Sequence, residues 1–513
     1  MKPTPAPVLS DAGANAHSVN TAVDEFVNVL GSGAVATDSE DIAARVGVHA
    51  IPTDRLRYIA ALIAPSSVAQ VQAVVSIANR YRVPLWLYTG HRHHGQGASV
   101  PRVPGFVIVD LRRMNRVLEI NEKCAYAVVE PGVSFFDLYE HLRAGGHELM
   151  MPVPDLACDS VVDYVLDGGH ALQSCGMEMV LANGSLVRTG MGALSTSRAW
   201  HTCGQGLGLT LDGLLLQSDL GIVTRMGVWL KPRPERYLSC NIVCRHDRDL
   251  QSLVDMIRPF LMDGTISNHP VLSNLVGTAA RIAGRQEWYP STGVIPEETL
   301  ERIADETGLG RWNLRFALYG RHDVVEAQLA TLAAAFGGIA QAVFSYREYD
   351  GNAPEEAILA ADKSQAGIPE PGADQIARWA GSTTGDYLTL SSVARLDATD
   401  VEAHYRLVRA GLEQHGFDHQ CMFVLSSRSA LQICCISFDR TVSAQVRAAH
   451  AAFDAVLAQA AEAGFGPHGP HTHPEDGAVA HFSFNDHALQ RMQRSIKELI
   501  DPNGILASRT QWL

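Results

Sequence analysis

At 513 residues the chain exceeds what one hydrophobic core holds, so two or more domains are expected. Hydrophobic residues at 46% and charged residues at 19% exclude a disordered or fibrous chain and match a globular protein. A formal charge of -14 excludes a nucleic-acid or anionic-membrane partner, since either needs a basic face, but leaves a bound dinucleotide open, because backbone N–H groups of glycine turns hold pyrophosphate without net positive charge.

The opening MKPTPAPVLSDAGANAHS has no basic stretch followed by an apolar one and reads as a flexible arm, not a signal peptide. No apolar run reaches the roughly 20 residues of a membrane helix. Nine scattered cysteines make no disulfide framework, so a reducing cytoplasm is expected; the pair Cys434–Cys435, inside FVLSSRSALQICCISF, reads as core.

The stretch SSVAQVQAVVSIANRYR repeats apolar residues at helical spacing behind Ser66–Ser67, which predicts a capped helix. PLWLY at 84–88 reads as a short buried strand running into Thr89–Gly90. FVIVDL (106–111) and YAVVEPGV (126–133) read as strands, and FFDLYEHLRAGG as a helix closed by Gly145–Gly146. Short strands mixed with helices indicate an α+β fold. From about 237 to 463 the texture changes. Alanine-rich helices (VVEAQLATLAAAF, VSAQVRAAHAAFDAVLAQAAEA) alternate with strands (RFALYG, LQICCISF), which predicts a separate antiparallel sheet with helices on one face. The tail NDHALQRMQRSIKELIDPNGIL reads as an amphipathic helix stopped by Pro502 and Gly504.

Two segments, CGMEMVLANGSLVRTGMGAL at 175–194 and GIVTRMGVWLKP at 221–232, resemble the flavin domain of the vanillyl-alcohol oxidase / p-cresol methylhydroxylase family, which oxidises para-substituted phenols with FAD. The resemblance implies a two-domain fold: an FAD-binding-type domain over 1–236, a cap over 237–465, and a return to the first domain over 466–513. It implies that TGHRHHGQGASVP at 89–101 wraps the FAD pyrophosphate. Gly90, Gly95 and Gly97 permit the close backbone approach such a loop needs. Arg92, Gly95 and Gly97 match the family's Gly-Arg-Asn-x-Gly-Tyr-Gly-Gly pattern. His93 replaces the asparagine, His94 follows it, and Gln96 replaces the tyrosine that lines the substrate pocket. The turn over 157–162, with Cys158, Ser160 and Val161, and the strand start Gly221, Ile222 and Val223 would complete the dinucleotide site.

Several positions depart from the family. In PDLACDSVVDYVLDGGHALQSCGMEMVL the loop carrying the family's catalytic Asp is missing. Asp159 and Asp163 replace small residues there and would repel a pyrophosphate unless turned away. Tyr387, in TTGDYLTLSSVARL, stands where the family forms its covalent flavin bond, often through histidine and in some members through a tyrosyl ether; the alternative is a strand tyrosine packed in the cap. A second resemblance, to berberine-bridge-type oxidases, puts His93 and Cys158 near two covalent attachment points; a small apolar filler is the alternative for Cys158. In GFGPHGPHTHPEDG the family's Gly-Glu-Tyr-Arg-Thr-His motif keeps only Thr472–His473, and His468 and His471 stand near the lost phenolate-stabilising Tyr and Arg.

The resemblance therefore implies an FAD-dependent oxidoreductase, with the FAD free or covalent, that moves a hydride from a small aromatic substrate to the flavin. His468 or His471 would handle the proton, with Gln96 and His170 at the pocket. The family also implies a homo-oligomer. An alternative stays open. His91, His93, His94, His468, His471 and His473, with His170 near them, are residue types that bind a transition metal, so the scaffold would serve a flavin-free enzyme. A non-catalytic homologue and solvated, inert histidines are the remaining readings.

Overall fold

Ile59–Ile63, Leu85–Tyr88 and Phe106–Asp110 are almost uninterrupted apolar runs, the pattern of strands covered on both faces. In the computed structural model they form the centre of a five-stranded sheet, ordered Val35–Ala36, Ile59–Ile63, Phe106–Asp110, Leu85–Tyr88, Leu506–Ala507. All neighbours are parallel except the first pair. The last strand comes from the far end of the chain and sets Leu506 opposite Leu85. The structure describes residues 16–46, 58–89, 104–155, 160–169, 171–206, 208–370, 376–381, 384–469 and 480–507.

The crossover helix Val68–Tyr81 starts at Ser67, whose hydroxyl accepts from the Gln70 N–H at 3.3 Å. It buries Val71, Val74, Val75, Ile77 and Ala78 in a core shared with Val180 and Ile222 of a second, antiparallel sheet and with Ala182, just past one of its strands. That sheet runs Val117–Asn121, Tyr126–Val129, Gly221–Trp229, Ser174–Leu181, Leu186–Arg188. Its buried carboxylate, Glu178, is held by Arg188 Nε at 2.8 Å and Arg225 Nε at 2.9 Å.

From Arg236 the chain enters an eight-stranded sheet, ordered Val343–Asp350, Arg236–Cys244, Trp312–Gly320, Val271–Asn274, Gln420–Leu425, Ser429–Asp439, Gly385–Arg395, Gly466–Pro467. Every pairing in it is antiparallel. Helices Asp249–Met262, His322–Phe336, Ala398–Gln414 and Ser443–Glu462 cover one face. Strand alternation divides the side chains. Leu314, Phe316, Leu390, Phe423 and Cys434 point to the helices, while Arg315, Tyr319, Thr389, Met422 and Ile433 point the other way, into a cavity. The antiparallel sheet with helices on one face is as the alanine-rich periodicity predicts, and Cys434 and Cys435 are both buried. The tail helix Phe484–Ile500 carries Lys497 in its last turn, where it pairs with Asp219 and Asp501 at 2.9 Å and ties the tail to the first half of the chain. Among the described residues no helix is long and apolar enough to cross a membrane.

Candidate active site

The free face of the eight-stranded sheet closes a cavity of about 520 Å³ against segments from the first half of the chain. This lies within the range of roughly 300–1,000 Å³ typical of small-molecule sites. Strand Leu149–Met150 pairs with Lys231–Pro232, and Pro152 and Pro154 hold the following residues extended along one wall. Helix Val161–Leu166 presents Tyr164, then stops at Asp167 and Gly168, bringing both to the cavity. A turn after Ala360–Ala366 closes the rim. It is tight at Gly367, φ +75, where a Cβ would lie 2.6 Å from Met150 Cγ and from Met151 O, so only glycine permits this approach.

The polar groups are few. Asp155 accepts from Arg315 Nη2 at 2.5 Å, Arg281 Nη1 at 3.0 Å and Ser364 Oγ at 3.0 Å. Burial would raise its carboxyl, but the two guanidiniums hold it well below the ordinary carboxylate range. Lys231 Nζ donates to Ser267 O at 2.8 Å and sits 5.7 Å from the centre of the Tyr319 ring. Burial lowers the Lys231 pKa, and no carboxylate among the described residues offsets that effect. The Tyr319 hydroxyl donates to Gln365 O at 2.7 Å, and burial pushes its phenol upward.

Of the residues singled out in the sequence, Tyr387 and His468 line this cavity. Tyr387 is 3% exposed, on strand Gly385–Arg395. His468 follows Gly466–Pro467, and its backbone N–H donates to Ser391 O at 3.0 Å. Ser160 is fully buried; its hydroxyl caps helix Val161–Leu166 by accepting from the Asp163 N–H at 2.9 Å. Val161, Ile222 and Val223 are core residues, so their side chains serve packing and leave only backbone to face a ligand. Gly221 starts its strand opposite Leu181. Gly90, His91, Arg92, His93, His94, Gly95, Gln96, Gly97, Cys158, Asp159, His170, His471 and His473 lie outside the described residues. Asp163, from which repulsion is expected, is buried, and its carboxylate accepts from the Thr89 hydroxyl, at the end of strand Leu85–Tyr88.

Among the described residues, the one group with metal-ligating reach is His419, Cys421 and Cys434, and His468 is not in it. The sequence reading missed Asp155, Asp167, Lys231 and Arg315. Lys231 had a visible signal, a charged residue closing the apolar strand GIVTRMGVWL. Asp155 and Arg315 had none, since only the tertiary fold joins them.

The cavity suits the ring system of a flavin. Met150, Val153, Leu230, Val271 and Met422 offer apolar walls for a flat aromatic body, and Gln173 and Asn268 offer amides for its polar edge. An FAD binding domain family matches residues 59–190. The flavoprotein subunit of 4-cresol dehydrogenase [hydroxylating] from Pseudomonas putida is 28% identical over 499 residues, 95% of this chain and 94% of that protein. The 1'-carboxy-chondrochloren decarboxylase of Chondromyces crocatus is 33% identical over 309 residues, 58% of this chain and 56% of its own. The solved 4-ethylphenol oxidase from Gulosibacter chungangensis superposes with a TM-score of 0.89 at 31% identity, covering 96% of this chain and 97% of that one. Agreement in sequence and in backbone over nearly the whole of both chains is common descent rather than a shared architecture, and the chain belongs to the vanillyl-alcohol oxidase / p-cresol methylhydroxylase family of FAD-dependent oxidoreductases.

Proposed function

We propose that this enzyme oxidises a small aromatic substrate bearing an acidic group, a phenol or an aryl carboxylate, by hydride transfer to FAD. The observation that carries this reading is Lys231. A half-buried ammonium facing apolar walls, with no carboxylate beside it among the described residues, is unfavourable, and an anionic substrate supplies the missing charge. The names of two relatives support the phenol class, since one acts on 4-cresol and the other on 4-ethylphenol. The name of a third supports a carboxylated substrate.

FAD, when bound, accepts the hydride. The chain's own residues do the rest. The apolar walls exclude water and hold the aromatic ring flat. Lys231 holds the acidic substituent and fixes which end of the molecule faces the flavin. His468, whose Cε1 lies 4.0 Å from where a side chain on Gly168 would begin, exchanges the substrate proton. Tyr387 would tether the flavin through an ether bond from its hydroxyl oxygen, in place of a histidine; the phenol would lose its proton, and the two electrons released would reduce the flavin and pass on to O₂ or another acceptor.

The test is anaerobic mixing of the FAD-loaded enzyme with para-alkyl phenols, aryl carboxylates and their neutral methyl ethers or esters. The acidic substrates are expected to bleach the flavin band near ~450 nm, a property of the cofactor itself, and the neutral analogues to do so far more weakly. No bleaching by any acidic aromatic sinks the proposal.

A further inference from the structure

On the helix-covered side of the eight-stranded sheet, away from the cavity, four polar side chains converge in a dry core. Cys421 and Cys434 stand directly opposite each other on strands Gln420–Leu425 and Ser429–Asp439. His419 immediately precedes the first of these strands, and Gln432 lies two residues before Cys434, on the same face. All four are buried, at 3% exposure for His419, 1% for Cys421 and 0% for Gln432 and Cys434.

The donor atoms are close. His419 Nε2 is 3.3 Å from Cys434 Sγ, and the Gln432 side-chain amide is 3.3 Å from both Cys421 Sγ and His419 Nε2. The imidazole nitrogen and the two sulfurs all lie within 4.8 Å of one another. Ligands of a tetrahedral zinc, at about 2.3 Å for sulfur and 2.0–2.1 Å for nitrogen, are roughly 3.4–3.8 Å apart. The buried Gln432 Oε1 has no hydrogen-bond partner. A half-turn of the Gln432 amide brings Oε1 to the position 3.3 Å from the thiol and the imidazole.

We propose that His419, Cys421, Cys434 and Gln432 form a closed structural site for one zinc ion. Two thiolates neutralise the divalent charge, which makes burial of the ion electrostatically acceptable, and the imidazole and amide oxygen complete a four-coordinate N,S,S,O set. The thiols leave their two protons to solvent as the ion binds. With every ligand out of solvent, the ion enters during folding and pins the two strands in register beneath Tyr405, whose ring centre lies 4.8 Å from that of His419. The cavity chemistry is on the opposite face of the sheet, so this inference stands apart from the proposed oxidation.

The test is elemental analysis of the full-length protein, purified without chelator and then dialysed against EDTA. The wild type is expected to retain close to stoichiometric zinc, and Cys421→Ser and Cys434→Ser to lose nearly all of it. A second measurement does not depend on the variants folding. Wild-type protein refolded with cobalt should show the visible d–d bands of a tetrahedral, thiolate-bound ion. Zinc far below stoichiometric in the wild type, undiminished metal in both variants, or an intact mass lower by two hydrogens from a Cys421–Cys434 disulfide would each overturn the proposal.

Discussion

Asp155 Oδ2 and Arg315 Nη2, 160 residues apart in the chain, meet at 2.5 Å and join the cavity wall after Leu149–Met150 to the eight-stranded sheet. Arg281 reaches the same oxygen at 3.0 Å, so two guanidiniums share one carboxylate. Replacing Asp155 by Asn leaves both cations half-buried and uncompensated, with an expected loss of roughly 2–4 kcal/mol in chemical denaturation. The pH dependence has a definite sign. The folded carboxyl titrates below its unfolded value of about 3.9, so its contribution is complete above that value and is lost as pH falls from there toward the folded pKa. The variant should lose this part of the acid sensitivity; an unchanged stability profile between wild type and Asp155→Asn would refute the role.

Lys231→Met is expected to raise KM for an acidic aromatic about 10- to 100-fold while changing kcat little, the effect of losing one charge-assisted contact. Because burial lowers the Lys231 pKa, the ammonium is lost on the alkaline side before an ordinary lysine would titrate. KM for an aryl carboxylate, which stays ionised throughout this range, should therefore climb with pH in the wild type and be flat in the variant. Equal KM values for the two proteins would remove Lys231 from substrate binding.

Tyr387→Phe keeps the ring in its buried position and removes only the hydroxyl. Flavin is expected in the acid pellet of the wild type and in the supernatant of the variant. Yellow supernatant from the wild type would show that Tyr387 forms no bond.

His404 is fully buried on helix Ala398–Gln414, with Nε2 2.7 Å from Ser392 Oγ. Burial, and secondarily the His419 charge, lower its pKa to about 3. The unfolded chain takes up this proton near ~6.5, so stability falls as pH drops below that value and levels near the folded pKa. The loss is on the order of 5 kcal/mol. His404→Leu should flatten the melting temperature between pH 6 and 4; a curve parallel to the wild type would assign the acid sensitivity elsewhere.

Local physics explains which features were legible in the sequence. The helix Val68–Tyr81, its Ser67 cap and the apolar strand Phe106–Asp110 follow from periodicity and side-chain chemistry within a dozen residues. The antiparallel sheet with its helical cover was legible for the same reason. Tyr387 was found through a short segment that resembles a known family, and it does line the cavity. Lys231 stood inside such a segment, yet its importance depends on burial, which no local pattern reports.

The sequence by itself determined the α+β class, the family and the type of cofactor, because each resides in contiguous residues whose periodicity or motif survives without neighbours. Only the tertiary structure decided that Asp155 answers Arg315, that Asp163 is satisfied by Thr89, and that His419 meets Cys421 and Cys434. Those pairings are set by strand register and sheet packing, which bring distant positions within hydrogen-bond distance and remove them from water together. A chain read one residue at a time carries neither the distance nor the dielectric that gives those contacts their strength.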